Sequence, residues 1–241
     1  MKLFRMKKLN KKILAIIPAR GGSKSIKNKN IINLFGKPLI FHSINVALKS
    51  KYISSVIVST DSKKIKKIAQ KYGAEVPFTR PKKYSLDHSR DYEVINHTLK
   101  WLKKNRDYQP DLIIHLRPTY PVRNHKFIDK QIFKALKNKD FDAYKSVVEA
   151  SQTPFKMWLK TKKFIKPVIG DFKKEYFNAP RQKLKKVYWQ NACLDIINPK
   201  CIIQNRSISG KKIIPIIMKE SEIFDIDYLS DLKKIKKKFT V

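Results

Sequence analysis

The segment AIIPARGGSKSIKNKN, Ala15 to Asn30, follows an apolar run with a basic loop rich in hydrogen-bond donors. Gly21 and Gly22 let backbone N–H groups approach a ligand without interference from a Cβ. Arg20, Lys24 and Lys29 supply cations, and Ser23 supplies a hydroxyl. Such a donor set suits a di- or triphosphate, although a glycine pair alone reads rather as an ordinary surface turn. The chain has no G-x-G-x-x-G, and Gly36-Lys37 is followed by Pro38, so neither common nucleotide fingerprint applies. A second constellation lies near the other end, where Asp225 and Asp227 stand two residues apart in FDID. In an extended segment such a pair points to one side. It can share a hard cation such as Mg²⁺ with phosphate oxygens, while capping of the last helix by Asp225 or Asp231 is the alternative. The five histidines, His42, His88, His97, His115 and His125, have no zinc-ligand spacing, and His115 reads as a buried, hydrogen-bonded core residue. No G-x-S-x-G or convincing Ser-His-Asp set supports hydrolase chemistry.

The elements that must position these groups alternate. Ile13–Ile17, Ser55–Ser59, Asp111–Leu116 and Ala143–Val148 read as buried strands. Between them, Pro38–Ser50, Ser62–Tyr72, Asp87–Asn105 and Asn124–Asn138 carry helical spacing, with Gly73 stopping one helix and Asn124 capping another. This rhythm predicts an α/β fold with a mostly parallel, Rossmann-like sheet flanked by helices. From about 150 to 190 the periodicity gives way to mixed prolines, aromatics and lysines, including Phe155, Trp158 and Phe177, which suggests an inserted lobe. Strands at Cys193–Ile197 and Ile213–Met218 and a helix from about Tyr228 follow. The expected organisation is one domain over 1–241 with an excursion at about 150–190.

The chain has 241 residues, of which 42% are hydrophobic, enough for a sizeable core. No apolar run approaches the roughly 20 residues of a membrane span, and the basic start, MKLFRMKKLNKK, lacks a signal-like pattern. A cytoplasmic protein is expected, with Cys193 and Cys201 reduced. The net charge of +36 would suit nucleic-acid binding. Lysine pairs recur along the whole chain, however, as at Lys63-Lys64, Lys103-Lys104 and Lys211-Lys212, which favours solvated faces over one binding surface. No nucleic-acid or membrane partner is expected, and a basic nucleic-acid-binding protein remains the alternative from another class.

ARGGSKSIKNKN followed by LFGKPLI resembles the signature of the acylneuraminate cytidylyltransferases, which activate sialic and other nonulosonic acids. VSTD (Val58–Asp61), Arg80-Pro81 with Asp87, LRPTYPVR (Leu116–Arg123), PRQKLKKVYWQNACLDII (Pro180–Ile197) and FDIDYLSDL (Phe224–Leu232) resemble further blocks of that family in the same order. The resemblance runs from about residue 13 to 239. It implies a nucleotidyltransferase fold with a small inserted dimerisation lobe, hence a homodimer. The implied activity is transfer of CMP from CTP to the anomeric hydroxyl of an acidic nine-carbon sugar, with Mg²⁺ as cofactor. An eight-carbon 3-deoxy-octulosonic acid or another base stays open.

By the same resemblance, Ala19, Arg20, Gly21, Gly22, Ser23, Lys24, Lys29 and Asn30 hold the triphosphate, and Arg80 and Asp91 lie near the cytosine. Arg20, Lys29, Asp225 and Asp227 form the catalytic set, the two aspartates as metal ligands. Arg117, Thr119, Lys156, Arg181, Gln182 and Asn191 surround the acceptor. Arg117 replaces a common Gln, and its guanidinium suits a bidentate grip on a carboxylate or on hydroxyls. Arg123 either braces the loop or touches the ligand. Ser25 and Lys27 replace a usual glycine and proline, Ala192 a usual glycine, and Leu194-Asp195 a usual Ile-Tyr. Ser25 fits provided its backbone avoids positive φ.

Overall fold

The computed structural model describes residues 11–222 and 224–239; most of the basic N-terminal run lies outside them. In chain order the elements are β1 (Ile13–Pro18), β2 (Asn33–Leu34), β3 (Lys37–Pro38), α1 (Leu39–Leu48), β4 (Ser55–Ser59), α2 (Lys63–Lys71), α3 (Asp91–Arg106), β5 (Leu112–His115) and α4 (His125–Lys137). They continue with β6 (Ala143–Glu149), β7 (Trp158–Lys160), β8 (Ile165–Pro167), β9 (Tyr188–Ile197), α5 (Pro199–Asn205), β10 (Ile213–Met218) and α6 (Leu229–Phe239).

The main sheet runs β10-β6-β9-β5-β1-β4. β1 lies between β4 and β5 and is parallel to both, with Ile16 opposite Ile57 and Leu14 opposite Ile113. Burial on both faces explains the unbroken apolar runs ILAII and LII: such strands need no polar side. β9 enters antiparallel to β5 and sets Asp195 opposite His115. Because β1, β4 and β5 run in one direction, the loops that follow them emerge at the same edge, where open α/β sheets bind ligands.

Local signals set the helix starts. Ser62 Oγ accepts from Ile65 N at 3.3 Å, and Asn124 Oδ1 accepts from Lys126 N at 2.9 Å. α3 begins at Asp91 rather than Asp87, and the Glu93 carboxylate accepts from Arg90 N at 3.0 Å to close its first turn. α5 is absent from the sequence reading because seven residues are too short to display a period. Pro199 at its first turn and Asn198, whose side chain accepts from Lys200 N, make it. Leu14, Ile16, Ile57 and Ile113 of the sheet pack with Ile95, Leu99 and Leu102 of α3 and with Cys201 and Ile202 of α5. Cys193 and Cys201 are both buried and form no disulfide among the described residues.

The chain divides into two compact units. The larger takes the chain through Ser146, Ala192–Ile216 and the segment from Phe224 onward; the smaller takes Val147–Asn191 and Ile217–Ile223. Within the smaller unit, β7 and β8 form an antiparallel ribbon with Leu159 opposite Lys166. Its packing is aromatic: the Trp158 and Phe177 rings lie 4.6 Å apart and those of Phe155 and Tyr176 5.6 Å apart. Among the described residues no helix is long and apolar enough to cross a membrane.

Candidate active site

The loop after β1 is tied down on both sides. Ala19 N donates to Ser59 O at 2.9 Å, and Gly21 N donates to Asp61 Oδ1 at 2.9 Å. A Cβ at Gly21 would stand 3.1 Å from Ser62 Cβ, a tight contact that the β1 and β4 loops avoid with glycine there. Gly22 has open space instead. Asn30 is buried and its Nδ2 donates to Arg20 O at 2.9 Å, closing the loop upon itself. Arg20 and Lys24 both reach Asp87, at 2.8 Å and 2.5 Å. Those contacts, led by the Lys24 hydrogen bond, hold the exposed Asp87 carboxyl below its ordinary range. Asp87 therefore belongs to the cleft mouth, which is why α3 starts later than its periodicity predicts. Ser25 is not among the residues with positive φ, so its replacement of glycine leaves the loop unstrained.

Lys29 crosses to the far end of the chain. Its buried Nζ donates to Ile226 O at 2.9 Å and lies 3.2 Å from Asp227 Oδ1. Ile226 N in turn donates to Thr119 O at 2.8 Å, which fixes the Phe224–Asp227 segment beside the β5 loop. Asp231 accepts from the backbone N–H groups of Asp227 and Tyr228. The capping role thus falls to Asp231, leaving the carboxylates of Asp225 and Asp227 for other work. Burial, with the Asp227 charge adding to it, raises the Asp225 carboxyl above its ordinary value despite a hydrogen bond from Thr119. Asp225 Oδ1 is buried with no hydrogen-bond partner among the described residues. An orphaned carboxylate oxygen next to a second carboxylate is the environment a divalent cation relieves, so this pair fits Mg²⁺ completed by phosphate oxygens.

Arg20, Lys24, Lys29, Asn30, Thr119 and Asp227 all line one cleft of about 560 Å³ in the larger unit. Arg80, Asp91 and Arg117 line it too. Arg80 is only 4% exposed, and its Nε and one Nη have no hydrogen-bond partner among the described residues; Asp61 Oδ1 stands 4.0 Å from that Nη. Desolvation lowers its pKa, and Asp61 offsets that only in part. A buried cation with orphaned donors at a cleft wall is poised to bond a ligand acceptor.

Arg117 is already engaged. Its Nε and one Nη donate to Asp91 Oδ2 at 3.1 and 2.8 Å, and the other Nη donates to Asp195 Oδ2 at 3.0 Å. Asp195 is fully buried, with His115 Nδ1 at 3.3 Å and Lys145 Nζ at 3.6 Å. A carboxylate only accepts, so Nδ1 of His115 carries the proton it donates; the reading of His115 as a bonded core residue holds. Burial alone would raise the Asp195 pKa, but the His115 hydrogen bond and the Arg117 and Lys145 charges hold it far below the carboxylate range. Arg117 titrates above its usual value because Asp195 and Asp91 outweigh its desolvation. Sequence reasoning missed Asp195 and Lys145 as parts of this site; the Leu194-Asp195 departure was the one signal for Asp195.

Arg123 is a brace. Its guanidinium donates to the carbonyls of Cys193, Arg117 and Tyr120 and to Ser43 Oγ. Ala192, in place of the usual glycine, has φ of 59° and so carries left-handed strain within β9. The other expected acceptor residues belong to the smaller unit. Arg181 and Gln182 line a cavity of about 290 Å³ there with Glu149, Lys185 and Lys186. Lys156 closes a short 3₁₀ turn, and Asn191 is fully buried with Nδ2 3.3 Å from Met218 Sδ.

Several known proteins resemble this chain. A protein 34% identical over 223 residues, covering 92% of each chain, is the post-translational flagellin modification protein B of Campylobacter coli. The CMP-N,N'-diacetyllegionaminic acid synthase of Legionella pneumophila is 34% identical over 226 residues, covering 90% of this chain and 91% of its own. A solved structure of CMP:2-keto-3-deoxy-manno-octonic acid synthetase complexed with CTP matches with a TM-score of 0.70 at 14% identity. It covers 95% of this chain and 98% of that one, which speaks for the shared fold. The model of the cytidylyltransferase family matches residues 14–183, so a chain whose basic loop, buried Arg80 and acidic pair share one fold belongs to the cytidylyltransferases.

Proposed function

We propose that this protein transfers CMP from CTP to the anomeric hydroxyl of a sialic-acid-like nonulosonic acid and releases pyrophosphate. The observation that carries the reading is the convergence of Arg20, Lys24 and Lys29 with Asp227 on one cleft in a member of this family. The acceptor oxygen bonds to the α-phosphorus of CTP, the bond from that phosphorus to the bridging oxygen breaks, and the hydroxyl proton passes to the acidic pair. Arg20 and Lys24 exchange their Asp87 contacts for the phosphate chain and offset the charge on the departing pyrophosphate. Asp225 and Asp227 would hold Mg²⁺, which supplies charge neutralisation at the phosphate oxygens. Positioning and electrostatics then carry most of the rate, as in phosphoryl transfer generally. The acid sugar brings a carboxylate, for which Arg181 and Lys156 are the proposed cations.

The smaller unit is proposed to form a homodimer. Its exposed Phe164, Ile165 and Phe172 present apolar surface that a second copy would bury. A cytoplasmic location is part of this proposal. The test pairs CTP, UTP, GTP and ATP with legionaminate, pseudaminate, neuraminate and an eight-carbon 3-deoxy-octulosonate, following pyrophosphate. CTP with a nine-carbon acid should give the fastest release. No release from CTP with any nine-carbon acid, or faster release with the eight-carbon one, would overturn the proposal.

A further inference from the structure

The Asp195–Arg117–Asp91 chain leads from the core of the sheet to the cleft wall. At its inner end, the antiparallel register of β5 and β9 places Asp195 against His115, and Lys145 comes from β6. Two carboxylates, Asp91 and Asp195, face two basic side chains, Arg117 and Lys145, so opposite charges meet along the chain. At its outer end, both Arg117 bonds to Asp91 fall on Oδ2. Among the described residues no hydrogen bond reaches Asp91 Oδ1, and Asp91 lines the cleft beside Arg80. One oxygen is thus clamped and the other left as a fixed acceptor. Arg117 could hold Oδ2 without Asp195, but its guanidinium would then be free to rotate about its long stem. Asp195 bonds the remaining Nη from a site with no exposure and removes that freedom.

We infer that Asp195 is a positioning residue for base selection: acting through Arg117, it fixes Asp91 Oδ1 as the acceptor that reads an exocyclic amino group of the nucleotide base. This deepens the proposed use of CTP and rests on it. Cytosine presents an amino donor where uracil presents a carbonyl oxygen, so an immobile carboxylate oxygen favours CTP and repels UTP. A loosened carboxylate turns aside from uracil and discriminates less.

The experiment measures kcat/KM for pyrophosphate release with CTP and with UTP, alongside a thermal melt. It uses wild type, Asp195→Asn, Arg117→Gln and the double variant. Wild type should prefer CTP. Asp195→Asn should lower the CTP/UTP ratio by about tenfold or more, the size of a lost specific base contact. The double variant should show the ratio of Arg117→Gln alone, because Asp195 acts only through Arg117. A structural role would lower the melting temperature and leave the ratio unchanged, and that result overturns the proposal. If Asp195→Asn does not fold, Arg117→Gln decides: an unchanged ratio overturns the proposal, and a collapsed one supports it. Wild type that uses CTP and UTP equally would overturn the proposed function and this inference together. A CTP-selective wild type with an unchanged Asp195→Asn ratio sinks the inference alone.

Discussion

Replacing Lys29 with Met tests the join between the two ends of the chain. The methionine keeps the apolar stem and removes the ammonium. Lys29 Nζ donates to Ile226 O at 2.9 Å, a charge-assisted bond worth about 1.5–3 kcal/mol. Its contact with Asp227 adds little, about 0–1 kcal/mol, because that carboxylate side chain is 67% exposed. The expected loss is therefore roughly 2–3 kcal/mol. For a chain of this size that lowers the melting temperature by about 5–10 °C. Activity should fall further than stability: removing a preorganised charge aimed at the reacting phosphates costs about 10²–10³ in kcat. The assay is pyrophosphate release at saturating CTP and acceptor, run well below the variant's melting temperature, next to Lys24→Met. Lys24 is 82% exposed at its side chain, so that variant should melt like wild type. A Lys29→Met enzyme within about fivefold of wild type, about 1 kcal/mol of barrier, would refute the catalytic placement of Lys29.

Asp227→Asn keeps the shape of an exposed side chain, so the fold should persist while CMP-sugar formation disappears; wild-type-like turnover across a Mg²⁺ titration would sink the metal assignment. Ala192→Gly should relieve left-handed strain and raise stability by about 0.5–1 kcal/mol, against the greater freedom of the unfolded glycine; an unchanged denaturant midpoint would count against that strain. Stability should also depend on acid through Asp195. A carboxylate whose folded pKa is depressed contributes stability that is complete above its unfolded value, near 3.9, and is lost as pH falls toward its folded one. Wild type should lose stability below about pH 4 more steeply than Asp195→Asn, read from urea melts at about pH 3 and pH 6. Equal slopes would remove Asp195 from the account.

The sequence by itself determined the strands and helices whose period is long enough to read. ILAII, SVIVS and LII read as buried strands, and their alternation with helical segments implies parallel β1, β4 and β5. It also singled out the basic loop after β1, through glycines and cations at close spacing, and the acidic pair, through its rarity among basic residues. These are local signals, carried by neighbours in the chain. Only the tertiary structure decided what Arg117 does. The pattern LRPT displays a guanidinium free to grip a ligand, whereas the folded chain brings Asp91 from α3 and Asp195 from β9 to engage three of its nitrogens. That meeting depends on the register of β5 against β9, set by side chains about 80 residues apart in sequence. The joining of Lys29 to Ile226 and the assignment of helix capping to Asp231 rather than Asp225 arise the same way. A residue's type states which bonds it can make, and packing decides which partner reaches it first.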